Sequence, residues 1–369
     1  MLHTHLRRVA LLTLVLVTTG LGGCAWLYSA RDERPGVQLS QLKAVDGMRV
    51  EVFASDLPRA RHMALGEPGT LYVGSFAGNV YAVRFDGGKR VSQRVAIQGL
   101  RNPSGLAYKD GALFVADRTR VVRYDNIATT TGTPPAPVVV LNGLPDSKRH
   151  DAHAMRFGPD GKLYVSIGAP CDTCEVKGDE FGVIVRVNAD GSGREVVARG
   201  IRNSVGFDWH RTSQELWFTD NGQDSLGTDK PNDELNRVTK VGEHFGFPHC
   251  HDTAIIDPKF GAGRSCGEFT APAGALGPRV AALGMTFNAA DSSVLVARHG
   301  SHPPARVGYD VVRLATANGR AMAPTPFLTG FLNGTQYWGR PVDVLVLSDG
   351  STLVSDDLNG VIYRVFKAP

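Results

Sequence analysis

A turn followed by a short apolar strand recurs along most of the chain. Six segments have this form: 68–73, 110–115, 160–165, 213–218, 292–296 and 349–354. Several contain Asp-Gly, which accepts positive φ at low cost and so favours a hairpin turn. Further segments, at 80–83, 121–124, 184–187 and 361–365, alternate apolar and polar residues like half-buried strands. The pattern therefore predicts a repeated strand unit.

The repeat predicts an all-β fold, a six-bladed β-propeller of four-stranded antiparallel blades formed by residues 38–369. Propeller blades recur every 40 to 80 residues or so, as these units do. The long interval at about 220–278 predicts a large loop insertion. A β-sandwich or a pair of barrels is the alternative, but the constant order of strand and turn favours the propeller. Helical periodicity is nearly absent after residue 30, and 43 glycines agree with a turn-rich chain.

The first residues have the pattern of a targeting segment. Arg7 and Arg8 precede an apolar stretch at 9–19, and Leu-Gly-Gly leads into Cys24. This resembles a bacterial lipoprotein signal, with residues 1–23 removed, Cys24 lipidated and 24–37 as a tether. An ordinary secretory signal with a chance cysteine is the alternative. We expect an exported protein, anchored by lipid in the bacterial envelope at the periplasmic face of the outer membrane. The apolar stretch is too short to span a membrane comfortably.

The remaining cysteines are even in number: Cys171, Cys174, Cys250 and Cys266. Export to an oxidising compartment permits disulfides. The economical pairing joins the first two and the last two. A redox dithiol or a metal clip at the first pair, or a zinc site with the histidines around Cys250, stays open. Haem attachment is excluded, since Glu175 stands where histidine is needed.

Positions before the first strand of each unit converge on the axis of a propeller. Arg202, Asn203 and His150 hold such positions and would share a pocket. A cation, an amide and an imidazole together suggest an anionic ligand beside a proton acceptor. The same repeat position holds these further candidates: Arg61, His62, Arg101, Asn102 and Arg340. The net charge of +4 and the lack of a basic run with aromatics give no reason to expect nucleic acid.

Several segments resemble one known family in order along the chain. They include Leu144–His150 with 157–168, Arg199–Trp209, Glu215–Gly222, Asn232–Asn236 and Gly339–Asp343. The set is similar to the pyrroloquinoline quinone (PQQ) dependent soluble sugar dehydrogenases, within them the glucose/sorbosone dehydrogenase-like branch. The resemblance implies an oxidoreductase that oxidises an aldose or a sorbosone-like sugar and passes electrons to a separate acceptor, a cytochrome or a quinone.

The resemblance also implies a ligand set. PQQ would contact Arg202, Asn203, Arg340, Asn102 and His299, because arginines suit its carboxylates. Calcium would bind the backbone carbonyls of Gly222 and Gln223, with Asp233 and Glu234 as further oxygen ligands. A loop-capping role is the alternative for this acidic pair. The family often has proline at the position of Gln223, and its glucose enzymes have a second arginine at that of Val342.

The expected mechanism gives His150 the role of base. Its neutral imidazole would take the proton of a sugar hydroxyl while hydride passes to the quinone. Arg202 would stabilise the charge that develops on the quinone oxygen, with help from Asn203. A surface histidine and a salt bridge between blades are the alternatives for His150 and Arg202. His153 either contacts substrate or packs.

Two rival functions remain at this point. A calcium-dependent sugar lactonase needs an acidic residue on the inner strand of the first blade, where this chain has Ala60-Arg61-His62. A propeller that binds a partner without catalysis is the other, and the departures at Val342 and Gln223 are its best support.

Overall fold

The computed structural model describes residues 35–130, 132–303 and 306–367. The signal peptide, Cys24 and most of the tether lie outside this part of the chain, so their assignment stays a prediction. The predicted all-β, six-bladed propeller is confirmed. No helix in these described residues is long and apolar enough to cross a membrane.

The first half of the chain forms three blades in sequence. A 3₁₀ turn, η1 (Leu39–Gln41), and two strands, β1 (Lys43–Ala44) and β2 (Met48–Ala54), precede them. Blade 1 contains β3 (Ala60–Leu65), β4 (Thr70–Ser75), β5 (Val80–Asp86) and β6 (Lys89–Ile97). Blade 2 contains β7 (Leu106–Lys109), β8 (Ala112–Asp117), β9 (Arg120–Tyr124), the 3₁₀ turn η2 (Ile127–Thr129) and β10 (Val138–Asn142). Blade 3 contains β11 (Met155–Phe157), β12 (Leu163–Ile167), β13 (Val183–Val187) and β14 (Glu195–Arg199).

Blade 4 carries an insertion between its third and fourth strands. It begins with β15 (Phe207–Trp209), β16 (Leu216–Asp220) and β17 (Asn232–Arg237). The insertion holds β18 (Glu243–His244), β19 (Cys250–His251), β20 (Ile255–Ile256) and the 3₁₀ turn η3 (Cys266–Glu268). The blade ends with β21 (Gly274–Pro278). The expected loop of 220–278 is therefore too long, since it contains two strands of the blade itself.

The last two blades recruit strands from the beginning of the chain. Blade 5 contains β22 (Ala282–Phe287), β23 (Ser293–Arg298), β24 (Asp310–Ala317), β25 (Arg320–Ala321) and β26 (Thr325–Thr329), with β1 at its edge. A small hairpin of β27 (Leu332–Asn333) and β28 (Gln336–Tyr337) follows. Blade 6 contains β29 (Pro341–Val346), β30 (Thr352–Asp356) and β31 (Val361–Lys367), and β2 completes it by antiparallel pairing with β31.

The six turn-and-strand segments of the sequence all form the second strand of a blade. These strands are almost wholly buried; every residue of β8, β16 and β30 is buried. Their side chains pack between neighbouring blades, as where the ring centroids of Tyr164 and Trp209 lie 4.9 Å apart. Full burial of a large apolar side chain contributes roughly 1.5–3 kcal/mol. The blade-to-blade contacts therefore hold the ring together.

Both predicted disulfides are present. Cys171 and Cys174 are joined in the loop between β12 and β13, and Cys250 and Cys266 are joined within the insertion. The sulfurs of each pair bond to each other in this structure rather than to a metal ion.

Apolar side chains from several blades form a cluster near the propeller axis. Ala152, Val205, Leu283 and Val342 form this cluster, with Phe76 packed against it. Val342 is fully buried there. The position at which the glucose enzymes have a second arginine is therefore part of an apolar cluster in this chain.

Candidate active site

The same backbone hydrogen bond recurs in three blades and fixes the main chain at three arginines. The aspartate that ends the second strand of blades 2, 4 and 6 accepts a hydrogen bond from the backbone N–H of the arginine that precedes the first strand of the same blade. The pairs are Asp117 with Arg101 at 2.6 Å, Asp220 with Arg202 at 3.0 Å and Asp356 with Arg340 at 3.0 Å. These carboxylates are buried, so they fix the turn from which each arginine side chain leaves.

His150 is held as a neutral imidazole. Its φ of 53° belongs to the left-handed region, and its Nδ1 lies 2.7 Å from the carbonyl oxygen of Ala169. A carbonyl only accepts, so Nδ1 carries the proton and Nε2 keeps its lone pair. Within the described residues no hydrogen bond to Nε2 is present. Burial lowers the pKa of His150 to about 4, and the positive charge of Arg202 acts in the same direction.

Asn203 lies beside His150. A Cβ atom at Gly168 would be 2.5 Å from the Cβ of His150 and 3.0 Å from Oδ1 of Asn203, so both side chains border the space that this glycine leaves. Asn203 donates to Oδ1 of Asn221 at 3.0 Å. Its own Oδ1 is buried and has no hydrogen-bond partner in the described residues. An orphaned buried acceptor of this kind indicates a place for a ligand or water.

Arg202 is 5% exposed and well anchored. Its Nη2 donates to Oδ1 of Asp172 at 2.6 Å and its Nε to the carbonyl oxygen of Asp172 at 2.9 Å. Its Nη1 donates to the carbonyl oxygen of Asn221 at 3.2 Å, and Asp224 lies 3.4 Å from Nη2. The structure thus brings the predicted trio of His150, Arg202 and Asn203 together, but the arginine is fixed by protein groups on most sides.

A second basic group joins blades 1, 5 and 6. Arg61 is ion-paired with Oδ2 of Asp357 at 2.9 Å, and Nε2 of His299 lies 3.0 Å from Oδ1 of the same carboxylate. Nη2 of Arg340 donates to Nδ1 of His299 at 2.8 Å, so Nε2 of His299 carries the proton and donates to Asp357. Burial lowers the pKa of His299 to about 4, assisted by Arg340.

This second group has a surplus of positive charge. Two guanidinium groups face one carboxylate and one neutral imidazole. The Nε atoms of Arg61 and Arg340 are buried without a partner in the described residues. The ring of Phe76 lies 4.4 Å from the Arg61 guanidinium carbon, and Tyr337 lies 5.8 Å from that of Arg340. Buried, unpaired N–H groups on two arginines fit an anionic ligand.

Other predicted residues are placed differently. Nδ2 of Asn102 donates to Asp151 at 2.9 Å, and Arg101 has an exposed side chain paired with Asp146. His62 lies on the axis, with its ring nitrogens 3.2 and 2.7 Å from the carbonyls of Ser104 and Val205.

His153 packs inside the blades. Its ring nitrogens lie 2.8 and 2.9 Å from the carbonyl oxygens of Ser166 and Arg118, and the side chain is buried. It therefore has no ring nitrogen left for a substrate.

The predicted calcium ligands differ in whether their oxygen atoms already accept hydrogen bonds from protein groups. The carbonyl oxygens of Gly222 and Gln223 accept no hydrogen bond within the described residues. Asp233 instead accepts from the N–H groups of Gly222 and Ala282, at 3.0 and 2.8 Å. Glu234 accepts from Asp252 N at 2.7 Å and from Asn236 at 2.9 Å. The acidic pair thus fixes loops, which is the alternative considered for it.

No group of three or more His, Cys, Asp or Glu side chains in the described part of the chain is arranged to hold a metal ion.

Several residues of the site were missed from the sequence. Arg279 donates to the carbonyl oxygen of Asp224 at 2.7 Å and has an unpaired, buried Nε. Asp357 and Asp172 are the carboxylates that hold the arginines. The signal for Asp357 was present, since it directly follows the strand-ending Asp356, but nothing local indicated Asp172.

The chain belongs to the TrAA12-like family, whose model matches residues 42–365. Its six-bladed fold is shared by solved structures of PQQ-dependent sugar dehydrogenases.

The chain is similar to other proteins over most of its length or over part of it. An uncharacterized protein of Borreliella burgdorferi is 29% identical over 89% of this chain and 91% of its own length. Quinoprotein glucose dehydrogenase B of Acinetobacter calcoaceticus is 30% identical, over 35% of this chain and 32% of its own. The holo PQQ domain of pyranose dehydrogenase from Coprinopsis cinerea shares the fold, with a TM-score of 0.74 and 19% identity over 88% of this chain and 96% of that one.

Proposed function

We propose that this protein is a PQQ-dependent oxidoreductase that oxidises a sugar, an aldose or a sorbosone-like substrate, and passes the electrons to a separate acceptor. One observation carries the proposal: a neutral His150 with a free Nε2 stands beside Asn203 and Arg202 at the propeller axis. The names of the glucose and pyranose dehydrogenases that the chain resembles support the same chemistry.

The residues present suit PQQ. Its carboxylates would be held by Arg61 and Arg340, whose buried Nε–H groups are unpaired, and its polar edge by Asn203. When bound, PQQ supplies an ortho-quinone that accepts two electrons as a hydride. Val342 is fully buried in an apolar cluster, so the position of the family's second arginine offers no cation to a cofactor carboxylate.

The chain's own catalytic contribution is proton transfer. Nε2 of His150 takes the proton of the substrate hydroxyl, since Nδ1 is already protonated against Ala169. With a pKa near 4, the imidazole is ready to accept at neutral pH. Arg202 and Asn203 present N–H groups next to it and stabilise nearby negative charge.

Two backbone carbonyl oxygens would bind the calcium ion. The carbonyls of Gly222 and Gln223 are oxygen donors of the type that calcium prefers, and they have no competing protein donor. Asp233 and Glu234 would support the loop rather than bind the ion directly.

The rival functions have less support. A lactonase would need a carboxylate on β3, where Arg61 and His62 are buried at the axis. A propeller that binds a partner without catalysis gives no reason for an imidazole with a free, neutral Nε2 beside Arg202 and Asn203.

Titration of the purified, signal-free apoprotein with PQQ and Ca²⁺ tests the proposal. We expect saturable binding, seen in the quinone absorbance, and dye reduction with members of a panel of aldoses and sorbosone. Chelation of Ca²⁺ should weaken both. Absence of PQQ binding in the presence of Ca²⁺ would contradict the proposal and favour the non-catalytic propeller.

We also propose export and lipid anchoring through Cys24, on the sequence pattern alone. Mass spectrometry of the mature protein from a bacterial host should find an N-terminal peptide that begins at a diacylated Cys24. Cys24→Ser should leave the protein unlipidated. An unmodified cysteine after cleavage elsewhere would favour an ordinary secretory signal.

A further inference from the structure

The disulfide between Cys171 and Cys174 encloses two residues that both reach the loop after β16. The hydroxyl of Thr173 donates to Oε1 of Gln223. Oδ1 of Asp172 accepts from the backbone N–H of Asp224 at 3.1 Å. The disulfide-linked turn of blade 3 is thus attached to the blade 4 loop that follows Gly222.

Asp172 also makes the principal contacts to Arg202. The Nη2–Oδ1 distance is 2.6 Å, and Nε donates to the backbone oxygen of the same residue at 2.9 Å. The side chain of Arg202 is 6% exposed and that of Asp172 is 25% exposed. A charge-assisted pair with this degree of burial is stronger and better ordered than a surface ion pair.

These contacts determine where Arg202 can still donate. A guanidinium has five N–H groups in a fixed plane. Two are used by Asp172, one by the carbonyl of Asn221 and one is directed to Asp224 at 3.4 Å. One N–H on Nη1 remains, and its direction is fixed because the plane of the group is fixed.

The charge of Asp172 extends to His150. It acts on the imidazole in the opposite direction to Arg202, favouring protonation. His150 also faces the charge of Arg149 and the backbone carbonyl of Ala169. Asp172 therefore acts on both proposed catalytic side chains, Arg202 through hydrogen bonds and His150 through its charge.

We propose that Asp172, fixed by the Cys171–Cys174 disulfide, is the positioning residue that aims the guanidinium of Arg202 at the reaction site. This inference rests on the proposed function. The disulfide restricts the backbone of a two-residue turn inside the long connection from β12 to β13. Without it, Asp172 would have to be ordered by its own hydrogen bonds against the chain entropy of that connection.

The test compares Asp172→Asn, Asp172→Ala and the double variant Cys171→Ser/Cys174→Ser. Asn keeps the acceptor but not the charge, and we expect a fall in kcat of about tenfold, against about a hundredfold for Ala. The disulfide variant should fall between wild type and Ala. PQQ affinity should change less than kcat. Asp179→Asn is the matched control, because Asp179 lies in the same connection and its carboxylate is in an exposed ion pair with Arg199.

Two readouts separate positioning from general destabilisation. In the apoprotein, the ¹⁵N guanidinium resonances of Arg202 should show slow N–H exchange that Asp172→Ala abolishes and Asp179→Asn preserves. The acid limb of kcat/KM should move to lower pH in Asp172→Asn, because a charge that favours protonation of His150 is removed. Asn should restore part of the activity that Ala loses.

The outcomes are distinguishable. Wild-type kcat, acid limb and Arg202 exchange in Asp172→Ala, with an active parent protein, would overturn this inference and leave the proposed function intact. A parent protein that neither binds PQQ nor turns over would overturn the proposed function and this role together. Retained protection of the Arg202 N–H groups in Cys171→Ser/Cys174→Ser would limit the role to Asp172 and contradict the part assigned to the disulfide.

Discussion

His150→Ala is expected to lower kcat about a hundredfold to ten-thousandfold, the usual range for loss of a positioned general base. PQQ affinity should change little, because His150 contributes a free lone pair at Nε2 and no positive charge. Stopped-flow reduction of the PQQ-loaded protein measures the loss, and absorbance titration measures the affinity.

The control for this variant is His210→Ala, just past the far end of β15 from the axis. There Nδ1 accepts from the backbone N–H of Ser213, the ring packs on Phe287 and Asp291 lies nearby. Its turnover should equal that of wild type. The acid limb offers an independent check. Because His150 is neutral above its pKa of about 4, kcat/KM should stay level down to about pH 5 and fall below it. Unchanged turnover in His150→Ala would refute the base assignment.

Arg202→Ala is expected to weaken PQQ binding and to reduce kcat, the latter about a hundredfold to thousandfold, as for removal of a fixed donor at a developing charge. The change also leaves Asp172 without its buried cation, which adds to the loss. Arg202→Lys should recover only part of both quantities, since an ammonium cannot donate in two directions within one plane. Calorimetry and single-turnover kinetics measure the two effects.

A matched control removes a comparable arginine at the opposite face. Arg186 pairs with Glu195 and Asp160 at 2.8 and 3.0 Å in blade 3. Arg186→Ala should lower thermal stability while the PQQ affinity of the folded protein stays at the wild-type value. Wild-type binding and turnover in Arg202→Ala would show that the arginine only joins blades.

The fold was largely predictable because one strand of each blade begins with an apolar stretch and is buried along almost its whole length. β8, β16 and β30 lie between neighbouring blades, so both faces are buried and their sequences are distinct. β17 was missed, although it is the third strand of blade 4. Its residues Asp233, Glu234 and Asn236 are buried but polar. Asp233 and Glu234 accept hydrogen bonds from loops that only the tertiary structure brings near, and Asn236 donates to Glu234.

The site was predictable only where the repeat placed it. His150, Arg202 and Asn203 precede first strands, and the ring brings such positions to one axis. Asp172 could not be found in this way. It lies within an irregular connection, and its contact with Arg202 depends on the path of that loop over the blade. The burial of Val342 in an apolar cluster was likewise not apparent, since the alternation of apolar and polar residues does not show which inward-facing positions can contact a ligand.

The pairing of β2 with β31 has a consequence for how the protein forms. The outer pair of strands in blade 6 joins residues 48–54 to residues 361–367, nearly the whole length of the domain apart. During synthesis, β2 has no partner until the last strand has been made. A chain that stops short of residue 361 would leave two unpaired strand edges, on β2 and β30, open to association with other chains. The ring therefore makes completeness of the polypeptide a condition for its solubility.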